Sequence, residues 1–287
     1  MKTQFTAPGA VRSRTGSTGA APNRPGQKKL KTPISYYGGK QMMLRHILPL
    51  IPEHKIYVEP FFGGGAVFFA KTPAKVEIIN DKLDQAINFY QIARDRFPEL
   101  LHMVQNTLHA ESTYQKAKAI FRDQTDDPVT NAWAFWVLSA MGFAHVIGHG
   151  FAFGKDQIAN TTANRIERFT EEIQQRLRHC QIFSRDAIDV IRRFDSPDTF
   201  FYFDPPYSNS NCGHYAKEKD VYFRLLEILP QLSGKWLLSS YPTDELAAIR
   251  ELPGIQTANI EKKICVTGKR KEPKLKIETL TWNYPVK

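Results

Sequence analysis

Cysteine is scarce in this chain. Cys180, Cys212 and Cys265 stand far apart in 287 residues, and none belongs to a CxxC pair. That odd, scattered set argues against a disulfide framework or a thiolate metal site and fits a reducing, cytoplasmic setting. For His149 no partner with metal-ligand spacing stands out, and no metal is expected. Apolar runs long enough to span a bilayer are missing, as is the apolar core of a secretory signal, so no membrane association is expected. Acid is absent from residues 1–31, which carry Lys2, Arg12, Arg14, Arg24, Lys28, Lys29 and Lys31. Without that tail the chain keeps only +3 of its +10, and overall charge by itself does not call for a nucleic-acid partner.

What is present is α/β alternation. Residues 1–31, rich in Gly, Pro, Ser and Thr, read as a disordered basic tail. Beyond them "KIYVEP" and "KVEIIN" read as buried strands separated by a helix start, "AVFFAK", and a helix is expected from Asp84 to Arg96. Later, "CQIFS", "TFFYF" and "KWLLSSY" are each followed by a helical pattern, and "IQTANI" and "LKIETLTWNY" have no helix between them. The order predicts a mainly parallel, doubly wound sheet with an antiparallel hairpin at one edge. Residues 97–178 break the alternation. They read as a mostly helical insertion between two halves of one α/β domain, residues 32–96 and 179–287. Within it, "TTANRIERFTEEIQQRLRH" has the spacing of one amphipathic helix (Ile166, Phe169, Ile173, Leu177), and Trp133 and Trp136 read as core.

Three short stretches carry chemistry. "YVEPFFGGGAVFF" sets Gly63, Gly64 and Gly65 between a strand and a helix, where backbone can approach a ligand closely. It is neither GxGxxG nor a P-loop, so a phosphate ligand is not required. Asp81 follows the next strand, 22 positions after Glu59, where an acid can bond a ribose diol; a helix cap shared with Asn80 is the structural alternative. Upstream, "SYYGGK" places Tyr36 to stack on a ligand and Lys40 to meet a ligand carboxylate. Finally, "FYFDPPYSNS" ends a strand on Asp204-Pro205-Pro206-Tyr207. Two prolines freeze the backbone and remove two N–H donors. The corner is left with carbonyl oxygens, one carboxylate and one ring.

"YYGGK", "VEPFFGGGAVFF", "IIND", an insertion and "DPPY", in this order, resemble the Dam-like, alpha-group DNA adenine-N6 methyltransferases over roughly residues 32–287, and "SNSNCGHY", "GKWLLSSYP" and "VTGKRKEPKLKIETLTWNYP" resemble their phage-type members. The resemblance implies a Rossmann-like sheet of the class I methyltransferase type, S-adenosyl-L-methionine as cofactor, and a target-recognition role for residues 97–178. It matches Tyr36, Gly39 and Lys40 to the N-terminal cofactor motif. Glu59, Phe61, Gly63 and Gly65 match the methionine-binding loop, Asp81 the ribose acid, Asp186 a cofactor-side acid, and Asp204, Pro205, Pro206 and Tyr207 the catalytic tetrapeptide. Tyr36 stands where Dam proteins have Trp, and no Dam-type target hairpin is evident, so a GATC target does not follow. Related tetrapeptides occur in N4-cytosine enzymes, and a catalytically silent DNA-binding regulator is an alternative use of the scaffold.

That corner suits the chemistry implied. The adenine amine is a poor nucleophile because its lone pair is delocalised into the ring. Acceptors aimed at its two hydrogens, Asp204 Oδ and the Pro205 carbonyl, favour the pyramidal, reactive form. Inside a duplex the base is out of reach and must flip out, with Tyr207 to stack on. The implied partner is therefore double-stranded DNA, with or without a cognate restriction endonuclease. Candidate DNA contacts are His149 and Lys155 in the glycine-rich piece of the insertion, Arg165 and Arg168 on its last helix, His214 and Tyr215 after the corner, and Lys269, Arg270 and Lys271 in a basic hairpin. A solvated face is the alternative for each charge run.

Overall fold

A computed structural model describes residues 30–36, 38–143, 146–153, 162–206, 219–264 and 274–286. Seven strands form one sheet: β1 (Ile56–Glu59), β2 (Val76–Asn80), β3 (Cys180–Phe183), β4 (Thr199–Phe203), β5 (Lys235–Ser240), β6 (Gln256–Ile264) and β7 (Lys274–Trp282), in the order β3-β2-β1-β4-β5-β7-β6. The pairs among β1 to β5 are parallel, whereas β7 runs antiparallel to both β5 and β6. The helices are α1 (Leu44–Ile47), α2 (Ala66–Ala70), α3 (Asp84–Asp95), α4 (Phe97–Gln105), α5 (Glu111–Asp123), α6 (Pro128–Met141), α7 (Thr162–Ile166), α8 (Glu171–Leu177), α9 (Ala187–Phe194), α10 (Lys219–Ile228) and α11 (Asp244–Arg250). The doubly wound sheet and terminal hairpin expected from the order of strands and helices are both present.

All five residues of β4, Thr-Phe-Phe-Tyr-Phe, are buried, as a central parallel strand covered on both faces requires. Strand alternation sends Phe200 and Tyr202 to one apolar layer and Phe201 and Phe203 to the other. The second layer packs against α9, α10 and α11 through Ile188, Ile191, Leu225 and Leu246. The first layer continues through Phe89 and Tyr90 of α3 into Trp136, Phe135 and Leu138 of α6, and on to Phe97, Tyr114 and Ile173. The helices of residues 97–178 thus share an apolar core with one face of the sheet. Trp136 is fully buried and Trp133 nearly so. Asp127 starts α6, accepting from the backbone N–H of Val129 and Thr130, with Pro128 as the first helical residue.

One helix expected from spacing is two. The amphipathic pattern over residues 162–178 breaks between α7 and α8. Thr170 adopts extended backbone (φ −115°, ψ 163°) and is followed by Glu171 and Glu172 in the first turn of α8, a helix start inside the apolar repeat. Phe169, Ile173 and Leu177 are buried nonetheless, so the periodicity reported burial correctly and continuity wrongly.

α8 is fastened to the sheet by buried charge. Arg176 pairs with Glu77 of β2, donates to the Phe68 carbonyl and lies 3.6 Å from the Phe68 ring centroid. Lys71 Nζ reaches Glu77 Oε1 at 2.6 Å. Burial pulls the Lys71 ammonium down to about 8 despite Glu77. Glu77→Ala would leave two inward cations without their counter-charge and should cost about 3–5 kcal/mol of stability; urea denaturation of the variant measures it, and a loss below about 1 kcal/mol would show the triad to be well solvated.

Candidate active site

Parallel strands deliver their following loops to one edge, and ligands of open α/β sheets sit there. The glycine turn after β1, Asp81 after β2, Asp186 after β3, Asp204-Pro205-Pro206 after β4 and Tyr241 after β5 all line one cavity of about 910 Å³. Tyr36, Gly39, Lys40, Glu59, Phe61, Gly63 and Gly65 line it too, with Phe121, Val146 and Ile147 at its helical side. Residues far apart in sequence are therefore brought together at the carboxyl edge.

The glycine turn is held rigidly. Asp81 Oδ2 accepts from the Gly63 N–H at 2.7 Å, and Oδ1 from Leu83 N–H at 3.0 Å. Tyr90 donates its hydroxyl hydrogen to the Gly63 carbonyl at 2.8 Å. Gly65 has φ +65°, and a Cβ there would lie 2.4 Å from Phe62 Cζ. A Cβ on Gly63 or Gly64 would come within 3.3 Å of the Tyr36 side chain, so the turn and that ring are in close contact. Asn80, which sequence reasoning considered only as a cap, ties three strand ends together. Its amide donates to the Pro60 and Arg185 carbonyls and its Oδ1 accepts from the Arg185 N–H. Its total burial was the missing signal.

Two expected ligand-facing groups have protein partners. Lys40, read from sequence as meeting a ligand carboxylate, lies 2.7 Å from Asp204 Oδ1 and 3.6 Å from Glu278 Oε1, and donates to the Gly38 carbonyl. Burial alone would lower its proton affinity, but Asp204, Tyr202 and Glu278 outweigh that and hold it above the usual lysine value. The shortness of the Gly-Gly corner and the nearness of β4 decide this, and neither is visible locally. Asp186 caps α9 through the Ile188 N–H and pairs with both terminal nitrogens of Arg224 at 3.0 and 3.1 Å; it still borders the cavity. Glu278 and Arg224 went unread in the sequence. Glu278 had one signal, an acid inside the alternating "KIETLTW" strand.

The rest of the predicted set is dispersed. His149 is exposed, on the segment whose Val146 and Ile147 line the cavity. Arg165 is half-buried, and burial with neighbouring Arg168 lowers its proton affinity; Arg168 itself is exposed. Tyr207, Lys155, His214, Tyr215, Lys269, Arg270 and Lys271 lie outside the described residues, as does the tail through residue 29. Among the described residues no group of His, Cys, Asp and Glu could hold a metal ion, and no helix is long and apolar enough to cross a membrane.

Strand order, the glycine turn after β1 and the acid after β2 define a Rossmann-like doubly wound fold. Residues 36–253 match the model of the D12 class N6 adenine-specific DNA methyltransferases. The chain belongs to that family, whose reaction is methylation of adenine in DNA. It is 30% identical over 217 residues to the type II methyltransferase M1.LlaDCHI of Lactococcus lactis subsp. cremoris, covering 69% of this chain and 75% of that one. It is 25% identical to a DNA adenine methylase of Vibrio cholerae (66% and 71% covered). It is 24% identical to the type II methyltransferase M.CviBI of Paramecium bursaria Chlorella virus NC1A (78% and 86% covered).

Gly65→Ala forces a Cβ into the Phe62 ring at positive φ and should destabilise by roughly 1–3 kcal/mol, read from the thermal midpoint; unchanged stability would mean the turn refolds freely. Burial raises the Glu59 carboxyl to about 8, although Tyr57 donates a 2.7 Å hydrogen bond to its Oε2. The folded chain then keeps a proton there that the unfolded chain releases from about pH 4.5 upward. Stability therefore falls between that pH and about 8. Glu59→Gln should stabilise more at pH 8 than at pH 5 in denaturant titrations, and an equal effect at both would refute the shift.

Proposed function

We propose that the cavity binds S-adenosyl-L-methionine and that Asp204, Pro205 and Pro206 receive an adenine flipped out of duplex DNA. The observation that supports this most is the opening of the glycine turn, Asp81 and the Asp-Pro-Pro corner onto the same cavity. Its size suits a nucleoside-containing molecule, and polar groups line it. Asp81 uses its two oxygens on backbone N–H groups, and each oxygen keeps acceptor capacity for a diol. The Tyr36 ring lies in close contact with the glycine turn, and Glu59 and Phe61 line the same cavity as Asp204. When bound, the cofactor supplies an activated methyl group.

The chain's own residues then orient the amine. Asp204 Oδ accepts one N6 hydrogen and the Pro205 carbonyl the other, which draws the lone pair out of conjugation. Fixed prolines keep that carbonyl in place without reorganisation. As nitrogen forms its bond to carbon it becomes cationic, and its surplus proton leaves through Asp204. Tyr207 is assigned the stacking face by sequence position. Residues 97–178, with His149, Arg165 and Arg168, are assigned to target recognition, and Lys155, His214, Tyr215, Lys269, Arg270 and Lys271 to DNA contacts.

Incubation with methyl-labelled cofactor and duplex DNA, followed by nucleoside analysis, should yield N6-methyladenine; label on cytosine N4 would overturn the reading. Asp204→Ala should lower kcat by roughly 10²-fold or more and leave cofactor binding largely intact in calorimetry.

A further inference from the structure

The catalytic corner has a second carboxylate behind it. Glu278 of β7 is buried and accepts a hydrogen bond from Ser239 Oγ of β5 at 2.7 Å. Its Oε1 faces Lys40 Nζ at 3.6 Å, on a lysine whose closer partner is Asp204 Oδ1 at 2.7 Å. The lysine and Glu278 side chains are 4% and 5% exposed, that of Asp204 22%. For stability alone this is an odd arrangement. One carboxylate at 2.7 Å already neutralises a buried ammonium, and a second adds a desolvation cost of its own.

Its effect is on charge. Asp204 and Lys40 by themselves are neutral as a pair, and a carboxylate whose charge is cancelled at contact distance is a weak acceptor for a nitrogen turning cationic. With Glu278 the three groups carry one net negative charge. In the transfer, the nitrogen lone pair forms the N–C bond and the old methyl–sulfur bonding pair leaves with sulfur. The positive charge thus moves from the donor to N6, until the proton passes to Asp204.

We propose that Glu278, held by Ser239, is a positioning residue for methyl transfer: it takes up the charge of Lys40, so that Asp204 is oriented by the lysine without being neutralised by it. The proposal rests on the cavity being the methyl-transfer site. Lys40 orients Asp204, Glu278 balances Lys40, and Ser239 of β5 fixes that carboxylate.

Full-length variants assayed on duplex DNA test it, because charge and scaffolding predict opposite orders. Glu278→Gln keeps the volume and makes the corner neutral. Its kcat should fall roughly tenfold or more, short of the loss for a direct contact, with KM for cofactor and DNA within about twofold of wild type. Glu278→Asp keeps the net negative charge on a shorter side chain and should turn over faster than Glu278→Gln. A scaffolding role predicts the opposite order, the isosteric Glu278→Gln faster than Glu278→Asp, and that result would overturn the inference, as would wild-type kcat in Glu278→Gln. Ser239→Ala keeps every charge and should lower kcat by a smaller factor; if Glu278→Gln does not fold, wild-type kcat in Ser239→Ala decides against the inference. Wild-type protein that makes no N6-methyladenine would overturn the functional reading together with this one, whereas an active wild type with an indifferent Glu278 overturns this one only.

Discussion

A buried ammonium, Lys40, joins the Gly-Gly turn at residues 38–40 to the Asp-Pro-Pro corner. It sits against Asp204 at the end of β4, below Glu278 of β7, and is anchored to its own Gly38 carbonyl. A charge so buried persists only where opposite charge is built around it. Residues 38–40, 204 and 278 are therefore obliged to meet, and the N-terminal segment, the central strand and the terminal hairpin cannot move independently. The fold of the sheet and the geometry of the site are one constraint seen from two sides.

The same logic runs through the glycine turn. Asp81 grips the turn through the Gly63 N–H while Tyr90 of α3 holds the Gly63 carbonyl, and Asn80 links the ends of β1, β2 and β3. A site made of loops is held to the tolerance of strands because each loop is hydrogen-bonded to a neighbouring strand end. At the opposite edge of the sheet, Arg176, Glu77 and Lys71 do the equivalent work for the helical insertion, which shares its apolar core with the sheet instead of standing off from it.

Membership in an adenine-specific methyltransferase family gives this arrangement its chemical sense. A reaction that moves positive charge onto a weakly basic amine asks for acceptors that are fixed beforehand and not neutralised. The rigid Asp-Pro-Pro backbone answers the first need. In the proposed reading the lysine between two carboxylates answers the second, and the second carboxylate comes from a strand 74 residues later in the chain.

Much of this was legible in the residues. Short apolar runs located β1 to β5, the missing helix before "LKIETLTWNY" announced the hairpin, and the glycine, acid and proline clusters marked three loops at the ends of strands. Local pattern suffices there because backbone conformation and burial of a strand are set by near neighbours. It failed where partners are distant. A continuous repeat over residues 162–178 concealed the break at Thr170, since two short helices can bury the same apolar positions. Lys40 has Asp204 and Glu278 of β4 and β7 as neighbours, and Asp186 has Arg224 of α10, pairings that no local stretch displays. By itself the sequence determined which residues would form strands, turns and a cleft edge, through propensity and periodicity. Only the tertiary structure decided which charges face one another, because pairing of buried ions depends on distances between elements that no local stretch encodes.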